Sequence, residues 1–222
     1  MIRLMTSNNQ GRDSRISFLT RPEFIYPITK KKNEYAKIDF KELARRAYNT
    51  AKKNGFHDEE YTLSHYTMLV LTELCEAVNA NRKGKFAQCF SFNSNINTPQ
   101  ENPEEHWKAC FETFIKDTVE DELADAFIRI LDIFGKYENE LGVIDNEEAN
   151  RFLFADEKLD DIDEFTSQVM AVVLAITKEE NPPLAMKFLI LIARHYDIDL
   201  FWFIEQKMKY NEMRSYKHGC RY

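Results

Sequence analysis

Glycine and proline are both scarce in this sequence, with only six of each among 222 residues. These two residue types interrupt regular backbone structure, so their scarcity leaves long segments in which a helix can continue. Apolar residues repeat at helical spacing in several of these segments, and hydrophobic residues make up 44% of the chain. The sequence therefore predicts an all-α protein with a substantial hydrophobic core.

Cysteines and long apolar runs are also lacking. The four cysteines are scattered without a C-x-x-C pair, which argues against a disulfide scaffold and against a zinc site. No run of eighteen apolar residues is present, and the first ten residues lack the apolar core of a signal peptide. These absences predict a cytoplasmic protein that has reduced thiols and no membrane partner.

Charge is unevenly distributed along the chain. The formal net charge is −7, but residues 1–37 hold eight Lys or Arg against three acids, which leaves about −12 for the remainder. We interpret residues 1–37 as a basic, partly flexible N-terminal arm and residues 38–222 as one helical domain. The acidic character of that domain argues against a general nucleic-acid binder.

Capping signals and glycines divide the domain into predicted helices. Asp39 and Asp199 are suitable N-caps, and the Asn102-Pro103 pair is typical of a helix start. The predicted helices cover residues 39–55, 62–83, 103 to about 135 or 142, 160–179, 184–192 and 200–215. Residues 86–106 are rich in Ser, Asn and Thr and are predicted to form a loop insertion, whose aromatic residues either stack on a base or pin the loop.

Two of the predicted helices each carry a pair of acids three residues apart. Glu73 and Glu76 lie on one of them, and Glu122 and Asp125 lie on the other. At this spacing both carboxylates of a pair share one helix face, which by itself is more often solvated surface than a site. If the two helices pack together, four carboxylates converge and need cations to neutralise them. Oxygen ligands of this kind favour Mg²⁺, which keeps several waters for a phosphate-bearing substrate.

A stripe of polar and basic residues on the last predicted helix provides a counterpart for phosphate charge. Lys207, Asn211 and Arg214 follow one another at steps of four and three residues. Such a stripe is a solvated helix face when it stands alone, but beside four acids it supplies charge and hydrogen-bond donors for a polyphosphate. Lys83 and His65 are further candidates for substrate contacts, although a histidine in such a position is more often structural.

Together these motifs resemble the MazG-like all-α nucleoside triphosphate pyrophosphohydrolases, a superfamily that also contains all-α dUTPases and dCTP pyrophosphatases. The resemblance rests on the two acid pairs, on the segment Arg82-Lys83-Gly84-Lys85 and on the ending 207–219. It covers about residues 38–86, 107–135 and 200–220. It implies a MazG-like helical bundle built on antiparallel helices, and assembly into a homodimer or a higher homo-oligomer.

The resemblance also implies roles for individual residues. Glu73, Glu76, Glu122 and Asp125 match the Mg²⁺ ligands of the family, with Mn²⁺ as an alternative metal, and Lys207 and Asn211 match residues that approach the phosphates. The implied activity is metal-dependent hydrolysis of a (deoxy)nucleoside triphosphate to the monophosphate and pyrophosphate, with water attacking the α-phosphorus. Glu73 is the best candidate to accept the proton of that water.

Two other hypotheses remain open. The family often has a glutamate immediately before the first acid pair, and this chain has Thr72 there, so a catalytically weak nucleotide-binding or regulatory protein is an alternative. A di-iron carboxylate bundle also places acids on facing helices, but that class uses Glu-x-x-His pairs, which neither acid pair provides. The preferred base and sugar are not indicated by any of these residues.

Overall fold

The computed structural model describes residues 38–138, 145–153 and 164–216, and in these ranges it contains nine helices and no strand. The helices are α1 Phe40–Lys53, α2 Leu63–Arg82, α3 Cys89–Ile96, α4 Pro103–Phe114, α5 Val119–Lys136, α6 Asn146–Leu153, α7 Phe165–Thr177, α8 Pro182–His195 and α9 Leu200–Glu212. The predicted all-α class is confirmed for this part of the chain. The predicted arm, residues 1–37, lies outside the described residues, as does the start of the helix predicted from residue 160. None of the nine helices combines the length and apolar character that crossing a membrane requires.

The predicted N-caps start the helices as expected. The side chain of Asp39 accepts a hydrogen bond from the backbone N–H of Glu42 at 2.9 Å, and that of Asp199 accepts one from Trp202 at 3.2 Å. Each bond satisfies one of the N–H groups that the first turn of a helix leaves without a partner. At the other end of α2 the chain passes through Gly84, whose φ of +64° suits glycine.

The segment predicted as one helix from residue 103 onwards is instead two helices, α4 and α5. Asp117, between them, has a φ of +57°, and Thr118 caps α5 by accepting a hydrogen bond from the backbone N–H of Asp121 at 3.4 Å. The prediction failed because the apolar pattern continues across the break, where Ile115 is fully buried. The sequence signal for the new start is a threonine followed by three acids.

The loop insertion predicted for residues 86–106 is wrong for its central part, which forms α3. Phe92 in this helix is fully buried, and its ring meets those of Trp107 and Trp202 edge-on, with centroids 5.8 Å apart in both pairs. This aromatic packing stabilises a helix that its polar composition disfavours. The buried ring pins the segment, whereas Phe90 in the same helix is 66% exposed.

Helix α5 is the centre of the fold. Thirteen of its 18 residues are buried, because α1, α2 and α9 pack around it. Gly135 permits the close approach of α1: a Cβ at this position would lie 2.5 Å from the Cβ of Tyr48 and 2.8 Å from the carbonyl oxygen of Ala44. Gly135 was a candidate for the helix end, but it lies inside α5 and serves packing instead.

Helices α2 and α5 run antiparallel. At one end the backbone N–H of Val119 donates to the carbonyl of Lys85 at 3.1 Å, and at the other the hydroxyl of Tyr137 donates to the carbonyl of Tyr61 at 3.3 Å. The middle of α2 therefore faces the first half of α5. This arrangement brings the two predicted acid pairs to the same level of the structure.

Candidate metal centre and adjoining cleft

Three of the four predicted metal-binding acids converge. Glu73 and Glu76 of α2 and Glu122 of α5 each offer one carboxylate oxygen, and these oxygens lie within 4.8 Å of one another. Glu73 and Glu122 are buried, whereas Glu76 is exposed, so the cluster opens to solvent on one side. A group of hard oxygen donors with one open side is the kind of site that holds Mg²⁺ together with waters.

The environment of the two buried carboxyls, Glu73 and Glu122, disfavours their charged forms. Burial raises the pKa of Glu122 to about 9, against the lowering effect of Lys207, and the negative charges of Asp121, Asp125 and Glu73 raise it further. Burial, followed by the charge of Asp125, raises the pKa of Glu73 to about 7. A cation between them would favour the ionised forms, because its positive charge offsets both the burial and the mutual repulsion of the carboxylates.

Asp125, the fourth predicted ligand, forms an ion pair with Lys207. Nζ of Lys207 lies 2.9 Å from Oδ2 of Asp125 and 2.7 Å from Oδ2 of Asp121. Burial raises the pKa of Asp121 to about 6, and the two aspartates raise the pKa of Lys207 despite its burial. Lys207, predicted to contact phosphate, is only 4% exposed and instead neutralises two acids inside the protein.

Arg129 is a residue of this site that the sequence analysis missed. Its Nε donates a hydrogen bond to Oε1 of Glu73 at 3.0 Å, and its side chain is 27% exposed. Arg129 follows Asp125 by four residues and precedes Asp132 by three, so all three lie on one face of α5. That spacing was visible in the sequence and continues the stripe of the second acid pair.

A second buried pair fixes the segment between α1 and α2 against α5. Nε2 of His57 lies 2.7 Å from Oδ1 of Asp132, and Nδ1 of His57 lies 3.2 Å from the hydroxyl of Tyr66. The side chains of His57 and Asp132 are 2% and 7% exposed. Both ring nitrogens are thus engaged, and the histidine acts as a structural link rather than as an open site.

A cleft of about 110 Å³ adjoins the carboxylates, between the end of α1, the middle of α5 and the end of α9. Asn211 and Arg214, two of the predicted substrate contacts, line it together with Asp125 and Arg129. The side-chain amide of Asn54 donates to the backbone carbonyl of Asn211 at 3.0 Å and so ties α9 to the end of α1. The last turn of the predicted basic stripe therefore reaches the neighbourhood of the acids.

The remaining two predicted substrate contacts lie apart from the carboxylate cluster. The ring of His65 stacks on that of Tyr61 with centroids 4.1 Å apart, and burial, helped by the charge of Arg129, lowers its pKa. Lys83 is exposed at the C-terminal end of α2, roughly 10 Å along the helix axis from Glu76. These positions suit a structural aromatic stack and a solvated helix end.

Comparison with known proteins does not identify a relative. No family model matches the chain, and no curated protein and no solved structure matches it either. The geometry of the carboxylates and the cleft, together with the motifs that they contain, is the basis for a functional proposal.

Proposed function

We propose that this protein is a divalent-cation-dependent nucleoside triphosphate pyrophosphohydrolase that produces a nucleoside monophosphate and pyrophosphate. The observation that carries the proposal is the convergence of Glu73, Glu76 and Glu122 within 4.8 Å on two antiparallel helices. In this proposal the helices of the described residues form a MazG-like antiparallel bundle that acts on a (deoxy)nucleotide in the cytoplasm.

The donor set fits Mg²⁺, with Mn²⁺ as the alternative metal. The three carboxylate oxygens, within 4.8 Å of one another, are close enough for Glu73, Glu76 and Glu122 to share one small divalent cation. Asp125 joins the set on the basis of the sequence motif, and because Lys207 contacts its Oδ2, its Oδ1 would be the fourth donor. Glu73, Glu76, Glu122 and Asp125 would thus hold the cation. When bound, it would neutralise phosphate charge and lower the pKa of a water molecule.

Glu73, Arg129 and Lys207 have different roles in the proposed reaction. Glu73 is our candidate to accept a proton from the attacking water, because the bound cation would favour the ionised form of this carboxylate. Arg129 fixes the orientation of this carboxylate through the 3.0 Å hydrogen bond from its Nε. The buried ammonium of Lys207 allows Asp121 and Asp125 to lie close together, which maintains the site without contact to the substrate.

Product analysis tests the reaction directly. The protein is incubated with each common dNTP and NTP, with Mg²⁺ or with a chelator, and the products are separated by anion-exchange chromatography. Monophosphate and pyrophosphate that form only with the metal would support the proposal. Diphosphate and phosphate would contradict the assignment of the attacked phosphorus atom.

Two amide variants test the assignment of the carboxylates. Glu122→Gln and Asp125→Asn are expected to lose metal-dependent turnover while helicity, measured by circular dichroism, is unchanged. Glu101→Gln is the matched control, because Glu101 is an exposed glutamate outside the site. Full turnover in both site variants would refute the assignment.

Thr72 favours a second candidate function, that of a nucleotide-binding or regulatory protein with little catalysis. Its hydroxyl donates to the backbone carbonyl of Met68 at 3.0 Å, so this position supplies no carboxylate next to Glu73. Saturable nucleotide binding by calorimetry without product formation would support this candidate over the enzyme. Restoration of turnover by Thr72→Glu would identify the missing carboxylate as the cause.

The proposal includes assembly into a homodimer. Helices α2 and α7 pack side by side, and large apolar side chains on them are exposed: Met68 by 59%, Met170 by 54% and Leu174 by 46%. Such side chains are suitable for burial against a second copy. Light scattering coupled to size-exclusion chromatography measures the molar mass, and a monomer at micromolar concentration would contradict this part of the proposal.

A further inference from the structure

We propose that the cleft beside the carboxylates is a phosphate-binding site in which Arg129 and Arg214 provide the hydrogen-bond donors. The inference rests on the proposed function and deepens it, because it names the part of the substrate that this cleft receives. The occupant is the terminal phosphate of a triphosphate, or a phosphate of the pyrophosphate product.

Arg129 has donors that the described part of the chain does not use. A guanidinium group carries five N–H donors, and the described hydrogen bond to Glu73 uses only the one on Nε. The side chain lines the cleft and remains 27% exposed, so its terminal amino groups are accessible to a ligand. A largely buried guanidinium with unfilled donors is stabilised by an acceptor with several oxygens, and phosphate is such an acceptor.

Arg214 approaches the same cleft from the end of α9. Its described hydrogen bond, from Nη1 to Oδ1 of Asn211, is 3.5 Å long and therefore weak. The bond from Asn54 to the carbonyl of Asn211 holds this turn of α9 in place, which keeps Arg214 beside the cleft. Two planar guanidinium groups on different walls of one cleft suit bidentate recognition of phosphate oxygens.

Two acids also line the cleft, but each has a positive or hydrogen-bonding partner. Oδ2 of Asp125 lies 2.9 Å from Nζ of Lys207, and Oδ1 of Asp132 lies 2.7 Å from Nε2 of His57. The negative charge that remains, together with that of the metal-binding carboxylates, opposes anion binding in the absence of a cation. Phosphate binding is therefore expected to require Mg²⁺ as well as the two arginines.

The size of the cleft sets the size of its ligand. Its volume of about 110 Å³ is well below the roughly 300–1,000 Å³ of pockets that enclose a whole small molecule. The cleft therefore suits a phosphate group, and the base and sugar of a nucleotide would lie outside it. Because Arg129 also contacts Glu73, a phosphate held by this arginine would lie next to the candidate metal centre.

Isothermal titration calorimetry with inorganic pyrophosphate, in the presence of Mg²⁺, tests the site without any turnover. Arg129→Gln and Arg214→Gln are each expected to raise the Kd for pyrophosphate about tenfold or more, because each removes charge-assisted hydrogen bonds. Arg129→Lys, which keeps the charge but loses the planar fork, is expected to give an intermediate Kd. Arg45→Gln is the control, because Arg45 is 62% exposed on α1 and pairs with Glu42.

The outcomes separate this inference from the proposed function. An unchanged Kd in both glutamine variants, or no binding of pyrophosphate to the wild type, would overturn the phosphate site even if nucleotides are hydrolysed. Arginine-dependent binding without hydrolysis of any nucleotide would uphold the site and contradict the proposed function. If Arg129→Gln does not fold, as judged by circular dichroism, Arg214→Gln and Arg129→Lys decide the question.

Discussion

Replacing Glu122 with glutamine is expected to stabilise the metal-free protein while it removes the response to metal. Glu122 is 3% exposed and lies near Glu73, Asp121 and Asp125, and burial together with these charges raises its pKa to about 9. Because the folded-state pKa lies above the unfolded value of about 4.3, the protonated carboxyl favours folding at low pH. That contribution is lost progressively as the pH rises from about 4.3 to about 9. Glutamine has nearly the same shape and never takes the charge.

The size of the effect follows from the pKa difference. Each pH unit between the unfolded and folded pKa values costs about 1.36 kcal/mol, so at about pH 7.5 the upper limit is about 4 kcal/mol. Relaxation of the surrounding side chains around the buried charge lowers this cost, and we expect Glu122→Gln to gain about 2 kcal/mol. In a protein of this size such a gain raises the Tm by about 4–8 °C.

Thermal and urea denaturation in a chelator, at about pH 5 and about pH 7.5, measure the effect. The gain in unfolding free energy should be larger at the higher pH, because Glu122 of the wild type then ionises more readily in the unfolded state than in the folded state. Addition of Mg²⁺ should then stabilise the wild type in proportion to the logarithm of its concentration, but not the variant. Glu101→Gln, an exposed substitution, is expected to change neither quantity.

A variant that is equally stable or less stable than the wild type in chelator at about pH 7.5 would refute the reasoning. It would mean that other groups of the protein already stabilise the negative charge of Glu122. The site would then have no need of a cation, and the three converging carboxylates would be structural.

Three further predictions concern the same region. Lys207→Met should lower the free energy of unfolding by about 3–5 kcal/mol in urea titrations, because Asp121 and Asp125 lose their buried counterion; a loss below about 1 kcal/mol would contradict this. Gly135→Ala should cost about 1–3 kcal/mol, because the added methyl group meets Tyr48, and an unchanged denaturation midpoint would argue against the close approach of α1 and α5. The affinity for Mg²⁺ should rise between about pH 6 and pH 9, because Glu73 and Glu122, whose pKa values are raised, must lose their protons before they bind the cation. Calorimetry in buffers of different protonation enthalpy measures this proton release. Binding without proton release would contradict these pKa values.

Local sequence signals predicted the starts of α1, α2, α4 and α9, but not the packing that determines less regular segments. Asp39 and Asp199 are short-range caps, because each accepts a hydrogen bond from a backbone N–H three positions away. Helix α3, in contrast, depends on the burial of Phe92 against Trp107 and Trp202, which come from elsewhere in the chain. No local pattern contains that information.

The sequence predicted most residues of the candidate site, but not which of them form ion pairs with one another. The i and i+3 spacing of the acids correctly indicated one helix face, and the antiparallel packing of α2 and α5 brings Glu73, Glu76 and Glu122 together. The partner of Lys207 depends on the rotation of α9 relative to α5, which sequence periodicity does not fix. The spacing of four residues between Asp125 and Arg129 already places Arg129 on the face of the second acid pair.

The charged partners of α5 all come from segments that lie far away along the chain. Lys207 on α9 forms ion pairs with Asp121 and Asp125, and His57 before α2 contacts Asp132. Long-range contacts of this kind form slowly, and a partly docked intermediate would bury acids without their partners. We therefore expect α9 to dock together with α2 and α5 in one cooperative step and not to detach alone from the folded protein. A fragment that ends before α9 is expected to remain unfolded even though it contains most of the hydrophobic core.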